Sequence, residues 1–271
     1  MRNRKLNNYV FEPNYILKGY RGSIAHNVHV PREADDVFGV DDIDYFGIFS
    51  FPYEYYLGLN GYYHAREVVD QKIEQDDTVE YELHKAFHLL SACNPNILGF
   101  LFNRPEHYTN VSEGGKLLLE KRDIFFSRRR IRDAYAGYAH AQLTKLTYGA
   151  YQGYMGERRK KVVDEYGYDT KNASTLLRLL AQGIEALKTN EIQTYRTDDR
   201  DFLLGVKTGK YSLDEIQNFA DDKFKELDSA YEESKMQLDN NRTHIEELCV
   251  EILEMETELP TRHLTGRHQE S

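Results

Sequence analysis

Between residues 15 and 75, apolar and polar positions alternate in short runs of β-branched and aromatic residues broken by Gly and Pro: YILKGYRGS, IDYFGIFSF, YYLGL and AREVVDQKIEQ. Runs of this kind predict strands joined by turns. Near Thr78 the period changes. Val79, Leu83, Phe87 and Leu90 recur at spacings of four, four and three, the stripe of an amphipathic helix. Asp77 followed by Glu80 reads as a capping box that opens it. Beyond CNPNI (93–97) the pattern is helical almost throughout, with helices expected near 112–122, 128–148, 157–165, 170–188, 198–208, 213–234 and 242–257. Ser212 with Glu215 and Thr243 with Glu246 give two further start signals. The expected fold class is α+β: an N-terminal mixed sheet with flanking helices over 1–110, an all-helical domain over 111–258, and a frayed tail over 259–271.

Composition adds to this picture in three places. Tyrosine occurs 21 times and tryptophan not at all, which supplies many rings with a polar tip for half-buried positions or the rim of a groove. Two isolated cysteines, Cys93 and Cys249, are too few for a disulfide framework or a zinc site. The basic start MRNRKLNNYVFEPNY lacks an apolar stretch after it, and no run approaches the ~18 apolar residues of a membrane span. A cytoplasmic protein is expected. Net charge is −10, yet Lys116 to Arg178 holds 14 Lys and Arg against 7 Asp and Glu, concentrated in SRRRIR (127–132) and ERRKKVV (157–163). Such a segment suits a polyanion such as RNA or a nucleoside triphosphate, with a solvated helix face as the competing reading.

The candidate chemistry lies in GSIAHNVHVPREADDVFGVDDIDYFGIF (22–49), where Asp35, Asp36, Asp41, Asp42 and Asp44 crowd beside apolar strand. Period two puts Asp42 and Asp44 on one face, about 6–7 Å apart at Cα, and turns Asp41 the other way. Carboxylates at that range raise each other's pKa or recruit a cation. Mg²⁺, or Mn²⁺, takes one or two carboxylates together with substrate phosphates. A calcium loop fails. Counted from Asp42, Gly47 fits the sixth place, but Phe46 at the fifth has no side-chain oxygen and Tyr53 stands where the twelfth needs Glu. Upstream, apolar Tyr15, Ile16 and Leu17 lead into Gly22 and Ser23, a strand followed by a Gly-Ser turn where backbone N–H groups and a hydroxyl can meet phosphate.

With these residues in place, the chain resembles the DNA polymerase β-like nucleotidyltransferase superfamily, and within it the RNA-repair-pathway polymerase β family. GSIAH (22–26) matches the Gly-Ser-x-Ala-His-like turn and DIDYFG (42–47) the Asp-x-Asp-x-x-Gly strand. YYLGLNGYYH, VEYELHKAFHLLSACNPNI, GYAHAQLTKLTYGAYQGYMGERR and GYDTKNASTLLRLLAQGIEAL extend the likeness over about residues 15–190. Where many relatives have a histidine after YDTKNA, this chain has Ser174 and Thr175, and PREADDVFGV (31–40) lengthens the interval before the aspartate strand, as a loop over the site. The resemblance implies that Asp42 and Asp44 bind catalytic metal with Asp77 as the third carboxylate and Glu82 as its runner-up. It implies that Gly22 and Ser23 hold the β- and γ-phosphates of an NTP such as ATP. Lys171, Ser174 or Thr175, Arg178 and Glu185 share a helix face, so Lys171 and Arg178 are expected on the triphosphate, against an intrahelical ladder of Arg178 and Glu185. Lys85 is a further nucleotide-binding candidate, and His140 and Lys145 are weaker ones. The implied activity is transfer of NMP from NTP to an acceptor hydroxyl, with RNA as acceptor through the 116–178 segment. A protein or small-molecule acceptor and a catalytically silent nucleotide- or RNA-binding protein are the alternatives.

Overall fold

The computed structural model describes residues 4–6, 9–11, 13–30, 41–52, 55–56, 69–73, 76–147 and 157–257, with side chains left out at 4–12, 69–73, 76–77, 147 and 157–159. The expected loop 31–40 and the tail 259–271 lie outside the described residues. A short antiparallel ribbon pairs β1 (Arg4–Leu6) with β2 (Tyr9–Phe11). The main sheet has five strands in the order β5-β6-β4-β3-β7, built from β3 (Asn14–Arg21), β4 (Ile43–Ser50), β5 (Val69–Ile73), β6 (Asp76–Glu82) and β7 (Tyr108–Val111). Its central strand, β4, runs antiparallel to β3 and parallel to β6, so the sheet is mixed.

Burial along β4 explains how a strand tolerates aspartates. Asp42 and Ile43 are exposed, whereas Phe46 to Ser50 are buried, so the strand enters the core from an open end. Only that end carries the carboxylates. A single helical turn, α1 (Gly22–Ala25), follows β3 directly.

The remaining helices are α2 (Leu83–Ser91), α3 (Pro95–Phe100), α4 (Glu113–Glu120), α5 (Arg128–Thr147), α6 (Glu157–Tyr166), α7 (Thr170–Thr189), α8 (Arg200–Lys207), α9 (Leu213–Glu233) and α10 (Arg242–Glu256). The seven helices expected after residue 110 are present within two residues at each end. α9 opens on the expected reciprocal box of Ser212 and Glu215, whereas Asn241, not Thr243, caps α10. One cluster of buried side chains runs from Ile16 and Leu17 of β3 through Leu176 and Leu180 of α7 to Ile252 of α10, so sheet and helices share a core. α5 and α7 cross closely because position 183 is glycine, where a Cβ would lie 2.9 Å from Cβ of Tyr135.

The structure corrects three local expectations. Residues 76–82 are strand, and the helix starts only at Leu83, with Glu82 as its cap accepting from the His84 and Lys85 N–H groups. Asp77 and Glu80 therefore form no capping box. Tyr55 and Tyr56 lie in a helical turn rather than a strand, with the rest of YYLGL outside the described residues. Sequence reasoning missed α3 and the edge strand β7.

Candidate active site

Register brings the site together. Arg21, the last residue of β3, stands opposite Asp44, and across the parallel pair Asp44 stands beside Asp77. The chain then turns at Gly22 with φ +65°, a conformation that disfavours any residue with a Cβ. A Cβ there would lie 2.5 Å from Oδ2 of Asp44, so the glycine also lets the carboxylate lie against the turn. Arg21 Nη2 approaches Asp44 Oδ1 at 3.6 Å, and the Ser23 hydroxyl lies 3.0 Å from Nδ1 of His29.

Two connected concavities open here. The smaller, a cleft of about 90 Å³, is lined by Ser23, Val28, Lys171, Ser174, Thr175 and Lys207, together with Gly22, His26, Asp44 and Arg178. Those last four also line the larger cavity, of about 270 Å³, whose remaining walls include Tyr20, Arg21, Phe46, Tyr81, Phe100, Asn103 and Thr194. The first is cationic and hydroxylic, the second aromatic.

Helix α7 delivers three of the expected residues. Asp169 caps its start by accepting from the Asn172 N–H, and Leu176, Leu177, Leu179 and Leu180 bury one side. Lys171, Ser174 or Thr175, and Arg178 thus face the cleft. Arg178 bonds Gln182 at 2.7 Å, while Glu185 pairs with Arg196, so no ladder joins Arg178 to Glu185. Burial pushes the Arg178 guanidinium down to about 10, helped by Arg196 and opposed by Tyr135 and Asp199, which leaves it charged at neutral pH.

Sequence reasoning missed Lys207 and the true partner of Asp41. Asp41 is buried, as is Lys207, and the two form a close ion pair. Lys171 stands 3.5 Å from the same carboxylate, and the Val30 N–H donates to it at 2.9 Å. Burial alone would raise the Asp41 carboxyl, but Lys207, that N–H and Lys171 outweigh it and hold the group below its ordinary range. On Lys207, burial outweighs the pull of Asp41 and lowers the ammonium. The pair is separated by 166 positions, and no local motif announces it. Of the described residues that line the two cavities, Arg21, Lys171, Arg178 and Lys207 are cationic and Asp44 is anionic, a balance that suits an anionic ligand.

His26 was also missed as a site residue. Its Nδ1 lies 3.1 Å from the Thr194 carbonyl oxygen. Burial first, then Arg178, with Arg196 and Lys207 adding, push the imidazole well below its ordinary value against the opposing carbonyl.

Other expected residues stand outside the two cavities. Asp42 is exposed just before β4 and lines neither cavity. Glu82 stands beside Phe49, five positions and ~16 Å along β6 from Asp77, and bonds Tyr56 and His84. Lys85 follows it in α2 and lines neither cavity. His140 stacks on Phe224 at 4.2 Å, and Lys145 is exposed in the last turn of α5.

A hard divalent ion fits the donors present, since Asp42 and Asp44 offer oxygen alone at an open strand end and Asp77 shares Asp44's register. Among the described residues no group of three His, Cys, Asp or Glu is gathered for a metal, and the Asp77 side chain lies outside them.

The model of the RNA repair pathway DNA polymerase beta family, RlaP, matches residues 36–251. The chain belongs to this family. The match takes in Asp42, Asp44, Asp77 and the helices α7 and α8 that reach the cleft, while α1 with its Gly22–Ser23 turn lies ahead of it and lines the same cleft beside Asp44. No curated protein and no solved structure matches the chain.

Proposed function

We propose that the protein is a metal-dependent nucleotidyltransferase that moves NMP from an NTP, ATP among the candidates, to an acceptor hydroxyl. The observation that carries this reading is the convergence of Asp44 and the Gly22–Ser23 turn with Lys171, Arg178 and Lys207 around one cleft that joins an aromatic cavity. In the reaction the acceptor oxygen bonds the α-phosphorus, the bond from that phosphorus to the β-bridging oxygen breaks, and pyrophosphate leaves. Gly22, Ser23, Lys171, Arg178 and Lys207 bind the phosphates, with Arg178 offering a planar fork and the lysines point charges. Asp41 holds Lys207 and Lys171 in place. A divalent ion on Asp42, Asp44 and Asp77 would polarise the α-phosphate and lower the pKa of the attacking hydroxyl. With a boundary near 110, the sheet half supplies the carboxylates and the helical half the phosphate-binding cations.

RNA is the proposed acceptor, by a different surface from 116–178 as a whole. Arg129 and Arg132 pair with Asp239 and Asp228, and Arg128 and Arg130 donate to the Ser234 and Ser91 carbonyls, so SRRRIR holds the helical half together. Around the aromatic cavity, Tyr45 stacks on Tyr20 at 5.1 Å, Tyr20 meets His107, His107 meets Tyr195, and the Arg104 guanidinium lies 3.6 Å over Tyr195. Tyr20 lines the cavity, and Arg104 and Tyr195 adjoin its Asn103 and Thr194. Rings and a cation at the rim supply the stacking that single-stranded nucleic acid uses. A cytoplasmic location belongs to the same reading: Cys93 and Cys249 are free and buried, and no described helix is long and apolar enough to cross a membrane.

The test is incubation with Mg²⁺, each α-labelled NTP and a panel of RNAs. Label on RNA supports the full reading. Label on protein with RNA inert moves the acceptor to protein, and nucleotide binding without label anywhere makes the chain a silent binder.

A further inference from the structure

α1 ends at His26, whose Nδ1 faces the Thr194 carbonyl oxygen at 3.1 Å. A carbonyl oxygen only accepts, so Nδ1 carries the proton and Nε2 is left as a bare acceptor. Burial first, then Arg178, Arg196 and Lys207, keep the ring neutral in this tautomer. Among the described residues Nε2 has no hydrogen-bond partner.

Its position gives that lone pair a meaning. Among the described residues, His26 is one of four on the wall shared by the cationic cleft and the aromatic cavity. In a nucleotide, the group that joins phosphates to base is the sugar. A ligand with phosphates among Lys171, Arg178 and Lys207 and its base against Phe46, Tyr81 and Phe100 therefore lays its ribose at this wall, where the ribose hydroxyls are the donors. Of the other polar groups nearby, Thr194 donates to the Gly99 carbonyl, and Asn103 donates to the Tyr20 carbonyl and keeps an Oδ1 unpartnered among the described residues, but both line the aromatic cavity alone and not the wall it shares with the cationic cleft.

We propose that Nε2 of His26 accepts a hydrogen bond from a ribose hydroxyl of the bound nucleotide and makes the site selective for ribonucleotides over one deoxy form. This inference rests on the nucleotide-binding reading of the cleft. A deoxy ligand leaves the acceptor unpaired inside the protein, which converts to roughly 5- to 100-fold weaker binding.

The experiment is equilibrium binding of a non-hydrolysable NTP with Mg²⁺, beside its 2′-deoxy and 3′-deoxy counterparts, to the wild type and to His26→Asn. Asparagine keeps a donor for the Thr194 carbonyl and places no acceptor where Nε2 stood. The wild type is expected to bind the ribonucleotide at least 5-fold tighter than one deoxy form. His26→Asn is expected to bind the two within about 2-fold. Equal binding of all three ligands by the wild type, a comparison that needs no variant, overturns the inference and leaves the nucleotide site standing. Discrimination retained by His26→Asn overturns it too. Failure of the wild type to bind any of the three removes both the inference and the nucleotide reading beneath it.

Discussion

A methyl group at position 22 would sit 2.5 Å from Oδ2 of Asp44, on a backbone already at positive φ. Gly22→Ala is therefore expected to cost about 1–3 kcal/mol of stability and to lower label transfer by more than tenfold, because Asp44 must move. A thermal melt beside the transfer assay separates the two effects. His26 makes a prediction of its own sign. Its folded value lies below that of the unfolded chain, so at acidic pH the unfolded state binds a proton that the native state refuses. The stability gained from keeping it neutral is complete above about pH 6.5 and is lost as pH falls below that, with a slope of up to ~1.4 kcal/mol per pH unit. Denaturation between pH 7 and 5 should show that slope in the wild type and a shallower one in His26→Asn. At this scale the sequence was legible where residues act at short range. Gly22, Ser23 and Asp44 stand out by type and spacing. Period two turns Asp41 away from Asp42 and Asp44, but nothing local shows that its partner is Lys207.

The 192–199 segment and α8 grip the Gly-Ser turn at the level of elements. The Arg196 N–H reaches the His26 carbonyl, Asn27 donates to the Arg196 carbonyl, and Arg200 and Lys207 donate to the Asn27 and Val28 carbonyls. Arg196 itself is buried between Glu185 and Asp199 at 2.8 and 2.6 Å. Arg196→Met is expected to destabilise the fold by about 2–4 kcal/mol, leaving two carboxylates without their cation, and to raise KM for NTP as the turn loosens. Chemical denaturation and initial rates check both halves. The helices were legible because their stripes and caps are local. β6 was not, because both of its faces are covered and its glutamates are buried. Tyr15 donates to Glu80 at 2.6 Å and Tyr56 to Glu82 at 2.8 Å, so a stretch that looks polar is core strand, and Val79 to Leu90 spans a strand–helix junction rather than one helix.

For the molecule as a whole, charge separates structure from recognition. Exposed pairs such as Arg132 with Asp228 contribute at most about 1 kcal/mol each, so Arg132→Ala should lower the melting temperature by only a few degrees and leave KM for RNA unchanged. Tyr195→Ala combined with Arg104→Ala should raise KM for RNA roughly tenfold and leave nucleotide binding intact, since stacking on rings contributes about 1–3 kcal/mol per base. The sequence showed an excess of basic residues over 116–178 but not where each charge ends, because only the packed helices decide which arginines meet Asp228 and Asp239. The central claim is that Asp44 and the cationic cleft transfer a nucleotide. It is met most directly by measuring pyrophosphate release from NTP with Mg²⁺ in the wild type and in Asp44→Asn, both confirmed as folded by their melts. Release by the wild type with the best NTP and acceptor, falling at least a hundredfold in Asp44→Asn, is the predicted result; no release from any NTP, or an undiminished rate in Asp44→Asn, contradicts it.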